Sequence, residues 1–220
     1  MSNRPYDTVI FDLDGTLLYT LTDLTTAVNA ALTRFGWQER TLEEMRHFVG
    51  NGIRNLMDHA VPGGEQNPLF EEAFARFREV YATCQKDTTG PYEGIPEAVA
   101  ALAEQGVKMA IVSNKIDSAV QDLNDEFFHM DVCVGEREGV ARKPAPDSVF
   151  TAMKELGADP ERTVYVGDSN VDLMTAQNAG LPCISVLWGF RTLQELQSYG
   201  ATCIVETPAD MAALILGEQT

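Results

Sequence analysis

The chain has 220 residues, 45% of them apolar, and 16 lysines and arginines against 33 aspartates and glutamates give it a formal charge of −17. That composition excludes extended disorder, and the charge argues against general binding to nucleic acid or to an anionic membrane, since like charges repel. For this length the expected organisation is one large domain, or one carrying a smaller domain.

The N-terminal residues lack the basic stretch and apolar run of a secretory signal, and no run approaches the roughly 18 apolar residues of a membrane helix. Cys84, Cys133, Cys183 and Cys203 form no CxxC pair, and His47, His59 and His129 are scattered. Free thiols, no zinc site and a cytoplasmic setting are therefore expected.

Residues 8–11 (TVIF) open the chain as a short apolar run that does not alternate, the pattern of a buried parallel strand. From about residue 17 to 85 only helical periods follow. They predict helices over 21–35, over 41–48 behind the capping-box pattern Thr41-Leu-Glu-Glu, over 53–60, and over 68–84 with Phe70, Phe74, Phe77 and Tyr81 on one face. This stretch reads as an inserted helical cap, residues 17–87, within a core made of 1–16 and 88–220. After Gly90-Pro91 strands return at 107–112, 131–134, 163–166, 182–187 and 202–205. Helices are predicted over 96–104, 146–156, 170–179 and 208–216, several of them stopped by glycine. Strands alternating with helices of about ten residues predict an α/β fold with a doubly wound parallel sheet.

Open α/β sheets bind ligands beyond the carboxyl ends of their strands. The first run is followed by Asp12-Leu-Asp14-Gly-Thr16, the second by Ser113-Asn114, and the 163–166 run by Gly167-Asp168-Ser-Asn-Val-Asp172. The 131–134 run leads through a loop to Arg142-Lys143-Pro144. Any one of these is an ordinary turn, cap or surface residue; their convergence from distant segments on one sheet edge carries the argument. Crowded carboxylates repel and bind protons unless a cation neutralises them. The hard oxygens of Asp12, Asp14 and Asp168 suit Mg²⁺ together with a substrate phosphate. Lys143 supplies a point charge for a phosphoryl oxygen and Ser113 a hydroxyl. An acidic chain can thus act on an anion if Lys143, Arg142, Lys115 and Arg54 gather at the site.

These motifs, in this order and over almost the whole chain, resemble the signature set of the haloacid dehalogenase superfamily, in particular its phosphoglycolate phosphatase-like branch. FDLDGTL, Phe48-Val-Gly-Asn-Gly-Ile-Arg54 and Pro91-Tyr-Glu-Gly-Ile-Pro96 carry the finer likeness. The resemblance implies a Rossmann-like core with an all-helical C1 cap and Mg²⁺-dependent hydrolysis of small phosphate monoesters, 2-phosphoglycolate among them. It implies Asp12 as nucleophile, Asp14 as acid and base, and Mg²⁺ held by Asp12, the Asp14 carbonyl and Asp168, with Asp172 orienting its water or Lys143. Ser113, the Asn114 N–H and Lys143 would bind the transferring oxygens, and Thr16 would steady the turn. In the cap, Asn51, Gly52 and Arg54 are candidates for a substrate carboxylate. Tyr19-Thr20 departs from the Asp-Ser pair usual in near relatives and bears on specificity. The expected partner is a small phosphorylated metabolite, and the expected assembly a monomer or homodimer. A β-phosphoglucomutase-type phosphotransferase, a pyrophosphatase or another sugar-phosphate phosphatase stays open, as does a non-enzymatic binding module.

Overall fold

The computed structural model describes residues 4–218. They form two compact units: Tyr19–Gly90, and the described residues before and after it. In chain order the strands are β1 (Thr8–Phe11), β2 (Leu18–Tyr19), β3 (Gly90–Pro91), β4 (Lys108–Ile116), β5 (Val132–Glu136), β6 (Thr163–Gly167), β7 (Cys183–Val186) and β8 (Ile204–Val205). The helices are α1 (Leu21–Arg34), α2 (Leu42–Phe48), α3 (Gly52–Ala60), α4 (Phe70–Cys84), α5 (Ile95–Glu104), α6 (Asp117–Phe127), α7 (Asp147–Leu156), α8 (Asn170–Ala179), α9 (Leu193–Ser198) and α10 (Pro208–Leu216). None of them is long and apolar enough to cross a membrane.

Six strands form one parallel sheet in the order β5-β4-β1-β6-β7-β8. Side chains alternate across it, as the two-residue period of a strand requires. Val9, Phe11, Val164 and Val166 pack with Ile95 and Leu102 of α5, Leu123 of α6 and Met211 of α10. Ile10, Ala110, Val112 and Tyr165 pack on the opposite face with Val149 and Met153 of α7 and Ala176 of α8. With both faces covered, every residue of β1 is buried, which is why that strand reads as an unbroken apolar run. β1 lies between β4 and β6, at the reversal of strand order where such sheets open a crevice at their carboxyl ends.

The second unit holds α1 to α4. Thr41 and Glu44 form the expected capping box: the Thr41 hydroxyl accepts from the Glu44 N–H and the Glu44 carboxylate from the Thr41 N–H. Arg40 donates through two nitrogens to the Ala60 carbonyl, closing the C-terminus of α3. Along α4 the rings of Phe70, Phe74, Phe77 and Tyr81 stack in series, with centroids 5.5 to 6.4 Å apart, so the aromatic stripe builds this unit's own interior. Asp23, buried in α1, accepts from the backbone N–H and hydroxyl groups of both Thr88 and Thr89. The chain passes between the units through the two-stranded ribbon of β2 and β3.

Four features differ from the sequence expectations. The ribbon strands are two residues each and one is Gly-Pro, too short for any period to show. The α6 sequence begins on Asp117-Ser118 and mixes polar with apolar residues, and α9 has a single buried side chain, Leu196. β4 runs on to Ile116, past the expected end at 112, so Ser113 and Asn114 lie within the strand.

Candidate active site

Asp12 leaves β1 with its N–H still donating to the Val166 carbonyl, 2.9 Å, which holds it at the strand's end. The chain then turns: the N–H groups of Thr16, Leu17 and Leu18 all donate to the Leu13 carbonyl, 3.0 to 3.3 Å. Gly15 sits in this turn at φ +90°, and a Cβ there would lie 2.5 Å from an oxygen of Asp168, so only glycine fits. The turn directs Asp12 and Asp14 apart. Asp12 accepts from Lys143 Nζ at 2.7 Å, whereas both oxygens of Asp14 are held by Lys115 Nζ at 2.8 and 3.1 Å.

Lys143 is buried, and its ammonium has three acceptors: Asp12 Oδ1, Asp172 Oδ1 at 2.8 Å and the Tyr165 hydroxyl at 3.0 Å. Its backbone is fixed as well. Asn114 accepts from the Lys143 N–H at 2.8 Å and donates to its carbonyl at 3.0 Å. The Asn114 side chain, for which the sequence offered no role, thus positions the lysine. Asp172, in the first turn of α8, uses its second oxygen to accept from the N–H and hydroxyl of Ser169. Asp168 is held by the Phe190 N–H at 2.6 Å. Ser113 accepts from the Lys115 N–H at 3.2 Å. Among the described residues the buried Thr16 hydroxyl has no hydrogen-bond partner, while its carbonyl accepts from the Trp188 indole.

Carboxylate oxygens of Asp12, Asp168 and Asp172 all lie within 4.8 Å of one another, and all three residues are buried. Burial first, and the neighbouring Asp172 carboxylate second, push Asp168 up to about 7, against the pull of the Phe190 N–H. The same two causes raise Asp12 well above the ordinary range despite Lys143. Burial alone would lower the Lys143 ammonium, but Asp12 and Asp172 overcome it, and the group stays firmly protonated. Three carboxylates facing one ammonium leave excess negative charge, and a divalent cation would relieve it. Hard oxygen donors at this spacing fit such an ion.

The structure therefore gathers Asp12, Asp14, Thr16, Ser113, Asn114, Lys143, Asp168 and Asp172 at the carboxyl edge of the sheet. The Asp14 carboxylate stands outside the three-carboxylate cluster and belongs to Lys115. Arg142 turns away to pair with Glu136. In the helical unit, Asn51 is exposed ahead of α3 and Gly52 opens that helix at φ +82°. Arg54, expected to meet a substrate carboxylate, has its guanidinium bound at 2.6 Å to both Glu65 and Glu71 and lies over the rings of Phe70 and Phe74. Those two glutamates and two rings already answer its charge and its planar face.

Two parts of the site escaped the sequence reading. Tyr165 lies in an apolar run and looks like any core aromatic. The loop 188–191 follows β7 and seats on the site through the Trp188 indole, the Phe190 N–H and the buried Arg191, whose charge acts on Asp168. Its signal was its position after a strand of the same sheet.

Known proteins resemble the chain over most of its length. Residues 9–186 match the family model described as haloacid dehalogenase-like hydrolase. A phosphoglycolate phosphatase of Pseudomonas putida is 32% identical over 219 residues, covering 95% of this chain and 78% of the relative. One from Aquifex aeolicus is 29% identical, covering 94% and 95%. A crystal structure from Lactobacillus delbrueckii subsp. bulgaricus, provisionally described as a phosphoglycolate phosphatase, superposes with a TM-score of 0.93 at 36% identity, covering 97% of this chain and all of the other.

Proposed function

The chain belongs to the haloacid dehalogenase-like hydrolases, and from that premise we propose that it is a Mg²⁺-dependent phosphatase of small phosphate monoesters, with 2-phosphoglycolate the first substrate to test. The observation that carries the reading is the Asp12 carboxylate held 2.7 Å from a buried ammonium inside a three-carboxylate cluster.

In this reading an Asp12 oxygen attacks phosphorus as the bond to the leaving oxygen breaks, and an aspartyl-phosphate forms. Asp14 gives a proton to the leaving alkoxide. In the second step it takes a proton from the water that attacks phosphorus, and Asp12 is released as a carboxylate. The Lys143 charge, held beside Asp12, and the Ser113 hydroxyl stabilise the transferring oxygens, where negative charge is concentrated. Asp12 and Asp168, with the Asp14 carbonyl, would hold Mg²⁺. Asp172 commits one oxygen to Lys143 and Tyr165 and the other to Ser169, so it orients the lysine. When bound, the cation offsets the repulsion between a carboxylate nucleophile and an anionic phosphate. The acid at position 14 favours phosphate ester hydrolysis over dehalogenation.

The substrate assignment draws on what the relatives are called, and Arg54 lends it no support. The test is phosphate release from phosphoglycolate, sugar phosphates, pyrophosphate and p-nitrophenyl phosphate, with Mg²⁺ and with chelator. The reading expects Mg²⁺-dependent release that Asp12→Asn abolishes, with phosphoglycolate highest in kcat/KM. Release that persists in Asp12→Asn overturns the mechanism. Isomerisation of a sugar phosphate without net phosphate release establishes the phosphotransferase instead.

A further inference from the structure

Tyr165 is a buried ionisable group that the reaction above does not use. It is the middle residue of β6, fully buried between Val164 and Val166, which face the other side of the sheet. A phenylalanine would fill the same apolar layer. The hydroxyl sets tyrosine apart, and in a dry interior it needs partners. It has two: it accepts from Lys143 Nζ at 3.0 Å and donates to Asp172 Oδ1 at 3.1 Å.

The count at the ammonium then closes. A lysine head has three N–H donors, and this one meets three acceptors, Asp12, Asp172 and Tyr165. The first two draw the head by charge. The third is neutral, so it adds no repulsion to a cluster already too negative, and it comes from a strand paired on both sides, to β1 and to β7. A lysine stem has four flexible carbons. With the Asn114 side chain bracketing the backbone and the phenol seating the head, both ends of that stem are fixed.

We propose that Tyr165 is a positioning residue for phosphoryl transfer, its hydroxyl taking the third N–H of Lys143 and holding the ammonium between Asp12 and Asp172. The assignment rests on the phosphatase reading. Its force comes from the need to place charge where it develops: small displacements of a stabilising group cost rate steeply. Substrate affinity, set largely by other contacts, is affected little.

The test compares the full-length wild type with Tyr165→Phe, which keeps the ring, and with Val164→Ala, which loosens the same strand on its other face. With p-nitrophenyl phosphate and saturating Mg²⁺, kcat of Tyr165→Phe falls about tenfold, equivalent to about 1.4 kcal/mol, with KM within twofold; Val164→Ala lowers the unfolding midpoint but holds kcat within twofold. Side-chain ¹⁵N–¹H spectra give a readout independent of catalysis. The Lys143 ammonium, assigned by its loss in Lys143→Arg, shows a protected signal in wild type that shifts and exchanges faster in Tyr165→Phe. A kcat within twofold of wild type, an equal fall in Val164→Ala, or an unchanged Lys143 signal overturns the proposal. An inactive wild type would sink the phosphatase reading, and the Lys143 signal would still decide whether Tyr165 positions it.

Discussion

Removing divalent metal makes acidification stabilising in a window where most proteins are indifferent to pH. Asp168 rises from an ordinary 3.8 to about 7 in the folded, metal-free protein. An acid whose folded pKa is raised binds its proton more tightly when folded, so stability is greatest below the unfolded pKa and is lost as pH rises through the folded one. Between pH 5 and 7 the unfolded aspartate is already ionised while the folded one is still giving up its proton. At about 1.4 kcal/mol per unit per proton, and half titration at the upper end, Asp168 costs about 2 kcal/mol across that window. Asp12 shifts the same way, and two protons over two units set a ceiling of about 5 kcal/mol. Carboxylates lowered by their partners, Asp7, Asp23 and Glu71, are ionised in both states here and do not enter. The assay is thermal unfolding in chelator at pH 5 and 7, followed by Trp188 fluorescence in a Trp37→Phe background so that the signal reports the catalytic core. The pH 5 sample melts roughly 4–8 °C higher, taking 2–4 °C per kcal/mol for a protein of this size. Saturating Mg²⁺ reverses the slope, because a cation binds only the ionised carboxylates. A metal-free midpoint that is flat or rises from pH 5 to 7, or a slope that Mg²⁺ leaves unchanged, refutes the reasoning.

Gly15→Ala forces a Cβ against Asp168 at a φ that non-glycine residues resist; kcat/KM falls at least about tenfold, and Mg²⁺ titration shows a higher half-saturating concentration. Arg54→Ala leaves the KM for phosphoglycolate within twofold but lowers the unfolding midpoint of the helical unit, read by Trp37 in a Trp188→Phe background, because it removes the Glu65 and Glu71 pairs. Asp23→Ala strands the hydrogen-bond donors of Thr88 and Thr89 and costs that unit roughly 3 kcal/mol in urea unfolding. Burial opposes ionisation of Asp23, but the bonds from Thr88 and Thr89 outweigh it and hold the carboxyl below its usual range. Its contribution is therefore present above about pH 4 and lost as pH falls below that, and Asp23→Ala lacks this acid-sensitive component.

The sheet and the polar cluster at its carboxyl edge were legible because their signals are local. Apolar runs buried on both faces do not alternate, and a polar cluster directly after such a run points at the crevice. What sequence cannot show is which partner a polar side chain finds across space. Asn114 was expected to act through its backbone N–H, yet its side chain brackets a lysine 29 residues on. Arg54 looked like an anion receptor because it follows a glycine-rich turn; two glutamates 11 and 17 residues later claim it. Tyr165 was hidden by its own apolar ring, since the pattern records burial and not the one oxygen that gives the residue its role.

The ribbon of β2 and β3 makes the helical unit a cassette. Entry and exit lie side by side on two paired strands, so to the sheet the whole insertion is equivalent to a tight turn, and domain insertion is best tolerated where chain ends lie close together. The Asp23 bonds to Thr88 and Thr89, which fasten the return segment to α1, lie inside Tyr19–Gly90 and travel with it. A graft cut at Leu18 and Pro91 would exchange the insertion while every residue at the carboxyl edge of the sheet kept its strand and register.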